Sequence, residues 1–196
     1  MPGSSSGALK VTAEHIVVPK AGERVSGDAA VFRRAGDIAL FAVIDGLGHG
    51  PRAAEAADSG VAYLREAPLD AGVATLMHGL HRALAQSRGA AAMVCVWQRG
   101  RLQGCGVGNV ELATIRTRVP VVLTPGIVGG HVRVLRPFEG PAPPGSRFVL
   151  YSDGISSRFS NEEIGLLPRV EACRHLMEKH RKAHDDATVM VVDVEG

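Results

Sequence analysis

The chain has 196 residues, 45% hydrophobic and 21% charged, with a formal net charge of +2. That balance suits one globular domain and excludes a disordered chain, and no apolar run approaches the roughly 18 residues of a membrane-spanning helix. Eighteen arginines and four lysines are scattered without a run, and the few aromatic residues do not interleave with them, which argues against a nucleic-acid partner. Met1 to Gly7 lacks a basic head before an apolar stretch, so no signal peptide is expected. Cys95, Cys105 and Cys173 are odd in number and widely spaced; they suit reduced thiols in a cytoplasmic protein better than a disulfide framework or a zinc site.

In chain order, residues 1–7 read as a flexible N-terminus and residues 8–196 as a single domain. Strands are predicted at Val11 to Val18, Ala29 to Arg34 and Ile38 to Ile44, with Ala35-Gly36-Asp37 as a hairpin turn. Pro51 opens an alanine-rich helix to Ala67. A second helix runs from Asp70, as N-cap, to Gln86, with Val73, Leu76, Met77, Leu80 and Leu84 on one face. Further strands follow at Ala91 to Gln98, Leu102 to Val107, Glu111 to Arg116, Val119 to Leu123 and His131 to Leu135. Pro137 to Gly145 is expected to be a loop, open to a role as a lid. Arg147 to Tyr151 is a strand. Ser160-Asn161-Glu162-Glu163 is a capping-box pattern before helical sequence to His180, which Pro168 splits. Thr188 to Val194 is the last strand. Serial hairpins and paired helices predict an α+β fold, two packed antiparallel sheets with helices outside.

Four aspartates stand at strand edges. Asp28 opens a strand after Ser26-Gly27, and Asp45 ends an apolar strand before Gly46-Leu47-Gly48-His49-Gly50. Asp153 ends another before Gly154, and Asp185 precedes Asp186-Ala187-Thr188. A carboxylate at the end of a buried strand loses hydration and needs a positive partner, yet no Lys or Arg lies within two residues of Asp45 or Asp153. Oxygen-only ligation by such acids selects Mg²⁺ or Mn²⁺ over zinc or copper. The bland alternative is that each is a turn former. A rival motif, Gly48-His49-Gly50-Pro51-Arg52-Ala53, fits a dinucleotide fingerprint, but the helix after it is followed by a second helix, so no βαβ unit forms.

These residues resemble the metal-dependent serine/threonine protein phosphatases of type 2C, in the bacterial branch typified by the sporulation stage II E phosphatase. The resemblance runs through Gly27-Asp28, Asp45 to Gly50, Gly106-Val107-Gly108-Asn109, Ser152-Asp153-Gly154 and Asp185 to Thr188. It implies a four-layer α-β-β-α sandwich and two Mn²⁺ or Mg²⁺ ions. Asp45 would bridge the ions, with the Gly46 carbonyl as a further ligand. Asp153 and Asp185 would complete one shell, and Asp28 would serve the other, directly or through water. The implied reaction is hydrolysis of phosphoserine or phosphothreonine by a water activated between the ions. The brevity of the chain is similar to the stand-alone phosphatase of the bacterial stressosome, which implies a scaffold or anti-sigma-antagonist phosphoprotein as substrate.

The sequence departs from the family at three places. Many eukaryotic relatives carry an acid before the first aspartate and a histidine two residues after the bridging one; here Gly27 and Leu47 stand there. His49 is then a candidate to protonate the leaving alkoxide, set against a role in turn packing. Asp186, where many relatives have Asn, is a candidate third-ion contact, and Arg24 a candidate phosphate contact set against a solvated surface residue. His78, His81, His180 and His184 read as surface residues. The alternative to an enzyme is a non-catalytic binding module of the same fold with a weakened metal site.

Overall fold

The computed structural model describes residues 10–196, so the N-terminus expected to be flexible over residues 1–7 lies outside the described residues. The elements are β1 (Lys10–Val18), β2 (Asp28–Ala35), β3 (Ile38–Gly46), α1 (Pro51–Glu66), α2 (Val73–Ala83), β4 (Ala90–Gln98), β5 (Arg101–Val107), β6 (Glu111–Ile115), β7 (Leu123–Thr124), β8 (Phe138–Pro141), β9 (Arg147–Tyr151), α3 (Asn161–Leu166), α4 (Arg169–His180) and β10 (Ala187–Glu195). One sheet has the order β1-β10-β9-β6. The other has the order β2-β3-β4-β5-β7, with β8 also paired to β5.

The sheets face each other across a core of alternate strand residues, including Phe41, Met93, Trp97, Phe148, Leu150 and Met190. Phe41 and Phe148 stack across it at 6.0 Å, and the Trp97 indole donates to the Ala142 carbonyl at 2.9 Å. The opposite residues of β3 and β4 pack under α1 and α2, while those of β9 and β10 pack under α3 and α4. Strands buried on both faces read as continuous apolar runs rather than alternations, which is why β3, β4, β9 and β10 stand out in the sequence. The result is the expected α+β sandwich of four layers.

Helix α1 begins at Pro51 and buries Ala53, Ala56, Ala57, Gly60, Val61 and Leu64. Gly60 lets it sit low on the sheet, since a Cβ there would lie 2.7 Å from the Ile44 Cδ1. Helix α2 differs from expectation. Asp70 falls in a short 3₁₀ turn over Leu69–Ala71, and Gly72 precedes the helix with no side-chain cap. Ser160 does cap α3, accepting from the Glu163 N–H at 3.2 Å, and Pro168 separates α3 from α4.

Three segments correct the sequence reading. The expected strand from Val119 to Leu123 survives only as β7, which pairs with β5 in parallel, because Pro120 and Pro125 restrict the run. His131 to Leu135 is not a strand; only Val132 bridges to Gly126. Conversely, the expected loop at 137–145 contains β8, paired antiparallel to Arg101–Gly104. It forms because Phe138 fills the space left at Gly104, where a Cβ would sit 2.2 Å from the ring. A paired strand there is not a lid. All three cysteines are buried and unpaired, and no helix among the described residues is long and apolar enough to cross a membrane.

Candidate active site

The acids gather because strand ends gather. Asp28 and Asp45 are direct cross-strand partners in the β2–β3 hairpin. Asp153 follows β9 and Asp185 shortly precedes β10, the two central strands of the other sheet. Asp45, Asp153 and Asp185 line one cleft of about 750 Å³ at this end of the sandwich. Asp28 lies beneath it, 5% exposed, and its Oδ2 accepts from the Ser152 hydroxyl at 2.6 Å. That hydroxyl also accepts from the Thr188 N–H at 2.9 Å, so β2, β9 and β10 share one buried polar node.

Burial raises the Asp45 carboxyl far above the ordinary carboxylate range, and Asp28, Asp153 and Asp185 push it the same way. Asp28 is raised chiefly by burial, against the hydrogen bond from Ser152. Asp153 is raised by burial and then by Asp185, while Lys182, Asn109 and His184 pull it back. The Asn109 amide donates to Asp153 at 2.6 Å, and the Lys182 ammonium donates to the Asp153 carbonyl at 2.6 Å. Acids thus outnumber the cations beside them, and burial with their mutual repulsion disfavours ionising all of them at once. Among the described residues no three His, Cys, Asp or Glu side chains close into a metal cage; the carboxylates instead face a common space. The donor set is oxygen, anionic and incompletely compensated, which fits hard divalent cations.

Two close approaches fix these turns. A Cβ at Gly154 would fall 1.8 Å from the Asp186 carbonyl oxygen, and one at Gly46 would fall 2.2 Å from that of Ala53. Gly46 donates its N–H to the Gly27 carbonyl at 2.9 Å and is not among the residues lining the cleft. Asp186, 3% exposed, uses both carboxylate oxygens on backbone donors, Oδ1 on the Lys20 N–H at 2.8 Å and Oδ2 on the Gly27 N–H at 2.9 Å. It thereby clasps both ends of the β1–β2 connection. Arg24, on that connection, is exposed and does not line the cleft. His49 does line it, with Nδ1 2.7 Å from Glu23.

Sequence reasoning did not assign Lys20, Asn109 or Lys182 to this site and placed His184 on an inert surface, whereas Lys20, Asn109 and His184 line the cleft. Only the position of His184 beside Asp185 and of Asn109 at the end of the Gly106 motif offered a signal. Lys20 arrives on the β1–β2 connection, far in sequence from Asp153 and Asp185. His81, in turn, accepts from the Gly129 N–H at 3.0 Å, which is a packing role.

Two facing sheets with helices on both outer sides and acids converging at one end define the fold of the PP2C-type serine/threonine phosphatases. The model of the stage II sporulation protein E (SpoIIE) family matches residues 36–195, and the chain belongs to that family. A solved chain described with the bacterial stressosome, a modular system adapted to control secondary messenger signaling, is 30% identical with a TM-score of 0.88, covering 93% of this chain and 99% of its own. RsbX in complex with magnesium is 18% identical with a TM-score of 0.79, over 94% of this chain and 96% of its own. The catalytic domain of the Mycobacterium tuberculosis serine/threonine phosphatase PstP, in complex with two manganese ions, is 19% identical with a TM-score of 0.73, over 96% of this chain and 100% of its own. No curated protein sequence matches the chain.

Proposed function

We propose that this chain is a Mn²⁺- or Mg²⁺-dependent phosphatase of phosphoserine and phosphothreonine in a signalling protein, with residues 8–196 as one cytoplasmic phosphatase domain. The observation that carries the reading is the meeting of Asp45, Asp153 and Asp185, from three separated stretches of chain, in one cleft above Asp28. Asp45 would bridge two ions, joined by the Gly46 carbonyl. Asp153 and Asp185 would hold one ion, and Asp28 would serve the other through water. When bound, such ions bring the pKa of an intervening water towards neutrality and screen the phosphoryl charge. The protein's own groups do the rest. Asn109 holds the Asp153 carboxylate in place, and Asp186 keeps the β1–β2 connection against the site. His49, oriented by Glu23, delivers a proton to the departing alkoxide, and Arg24 remains available to an approaching phosphoprotein.

The stressosome-described neighbour at 30% identity supports a substrate of the scaffold or anti-sigma-antagonist kind in a partner-switching pathway. A second reading, a binding module without catalysis, draws on Gly27 and Leu47, which supply no ligand where relatives carry an acid and a histidine. Phosphate release from p-nitrophenyl phosphate and from a phosphoserine peptide, with Mn²⁺, with Mg²⁺ and with chelator, separates the two. Metal-dependent release lost in Asp45→Asn is the expected result. Undiminished release in chelator defeats the metal mechanism, and none with any metal leaves the binding module.

A further inference from the structure

The cleft has two unlike walls. One, at the ends of β1, β9 and β10 of one sheet, carries Lys20, His184 and the acids Asp153 and Asp185; the other, at the ends of β3 and β7 of the second sheet, carries Leu47, Leu123, Pro125 and Ile127. Leu47 is 38% exposed, and Leu123 and Ile127 are only partly buried, so apolar surface faces the same space as the carboxylates. This wall is built rather than loose. β7 pairs with β5, Gly108 donates to the Thr124 carbonyl at 3.0 Å, and Ala90 and Val128 exchange both backbone hydrogen bonds. The Ile127 N–H donates to the His131 carbonyl at 3.0 Å. Gly89 gives Ile127 its place, since a Cβ there would lie 2.5 Å from the Ile127 Cγ2.

Resting on the phosphatase reading, we propose that this wall selects phosphoprotein segments that carry an apolar residue a few positions from the phosphorylated one. The sheet sets the distance. Asp45 pairs with Ala91, and the adjoining strands continue through Gly108 to Pro125. Three strand spacings of about 4.8 Å put Pro125 about 14 Å from Asp45, and the Val128–Ala90–Gly46 pairing puts Ile127 nearer, about two spacings or 10 Å from the acid end. An extended peptide rises about 3.3 Å per residue, so with its phosphoryl group over Asp45 it meets the wall with a side chain roughly three to four positions away. A leucine or valine there covers Leu123 and Ile127. A glutamate would lose hydration against them and face the acids opposite.

The test uses phosphoserine peptides identical except for Leu or Glu at each of the four positions on either side, with p-nitrophenyl phosphate as a reference. Leucine at one of the predicted positions should raise kcat/KM at least about 10-fold over glutamate, mainly through KM. Ile127→Ser and, on the more exposed side of the wall, Leu47→Ser should each shrink that ratio towards one, with thermal melting checking that each variant is folded. Equal rates for every peptide, or a preference for glutamate, alongside release from p-nitrophenyl phosphate, overturn the inference and leave the phosphatase reading standing. No release from any substrate defeats that reading and this inference with it.

Discussion

Asp45 shows how a functional side chain opposes folding. Its carboxyl and that of Asp28 bind protons more tightly in the folded protein than in the unfolded one, because burial and neighbouring acids disfavour their ionised forms. The folded state therefore holds the extra protons above the usual carboxylate pKa near 4, and stability falls as pH rises from there through neutrality. In chelator, the melting temperature should drop between pH 5 and pH 8, and Asp45→Asn should melt higher than the native protein at pH 8. The same substitution should lower metal-dependent phosphate release at least about 100-fold, since even outer partners of metal ligands are worth that much. His49 can be tested by leaving group. His49→Ala should slow phosphoserine hydrolysis about 10-fold or more, because an alkoxide needs a proton, and should slow aryl phosphate hydrolysis far less. Equal losses on both substrates would assign His49 to packing.

Among the elements, the β1–β2 connection is clasped at both ends by one side chain. Both Asp186 oxygens serve it, so Asp186→Ala leaves two backbone donors unpaired, one of them buried. The expected cost is about 3 kcal/mol, roughly a 10 °C fall in melting temperature for a chain of this length, read by calorimetry in chelator. This clasp was invisible in sequence because its partners lie 166 and 159 residues apart, and an aspartate beside a presumed ligand suggests metal. β8 was hidden differently. The prolines and glycines of residues 137–145 argue for a loop, yet Gly140 passes close to Val119, and the Phe138 ring needs Gly104 across the sheet. The apolar strands β3, β4, β9 and β10 were legible because burial on both faces leaves little room for polar residues. His131 to Leu135 alternates like a strand but has only one bridge to follow.

At the scale of the molecule, two sheets packed through Phe41, Phe148 and Trp97 bring their acid-bearing ends together. Ions that bind only the folded state stabilise it by mass action, about 2.7 kcal/mol at a hundredfold excess over Kd. Saturating Mn²⁺ or Mg²⁺ should therefore raise the melting temperature roughly 5–10 °C at pH 8. The shift should shrink towards pH 5, where the proton competes for the same oxygens; a shift independent of pH would place the ions elsewhere. Legibility at this scale was uneven. The four aspartates were readable because each follows or precedes an apolar strand and adjoins a small or polar residue, while Lys20 and the apolar wall depend on which strand ends are neighbours, which no local pattern shows.

The β2–β3 hairpin carries a consequence for engineering. Its register runs from Ala35 opposite Ile38 to Asp28 opposite Asp45, with Gly36 at φ 57° in the turn. The run of paired residues between tip and acids works as a ruler for the acid pair. Lengthening the tip leaves both carboxylates where they are. One residue inserted between Ala29 and Arg34, if not bulged out, slides Ala29 into the slot facing Asp45 and turns Asp28 to the opposite side of the sheet. Spacing between these charges is thus tuned by chain length, not by side-chain choice.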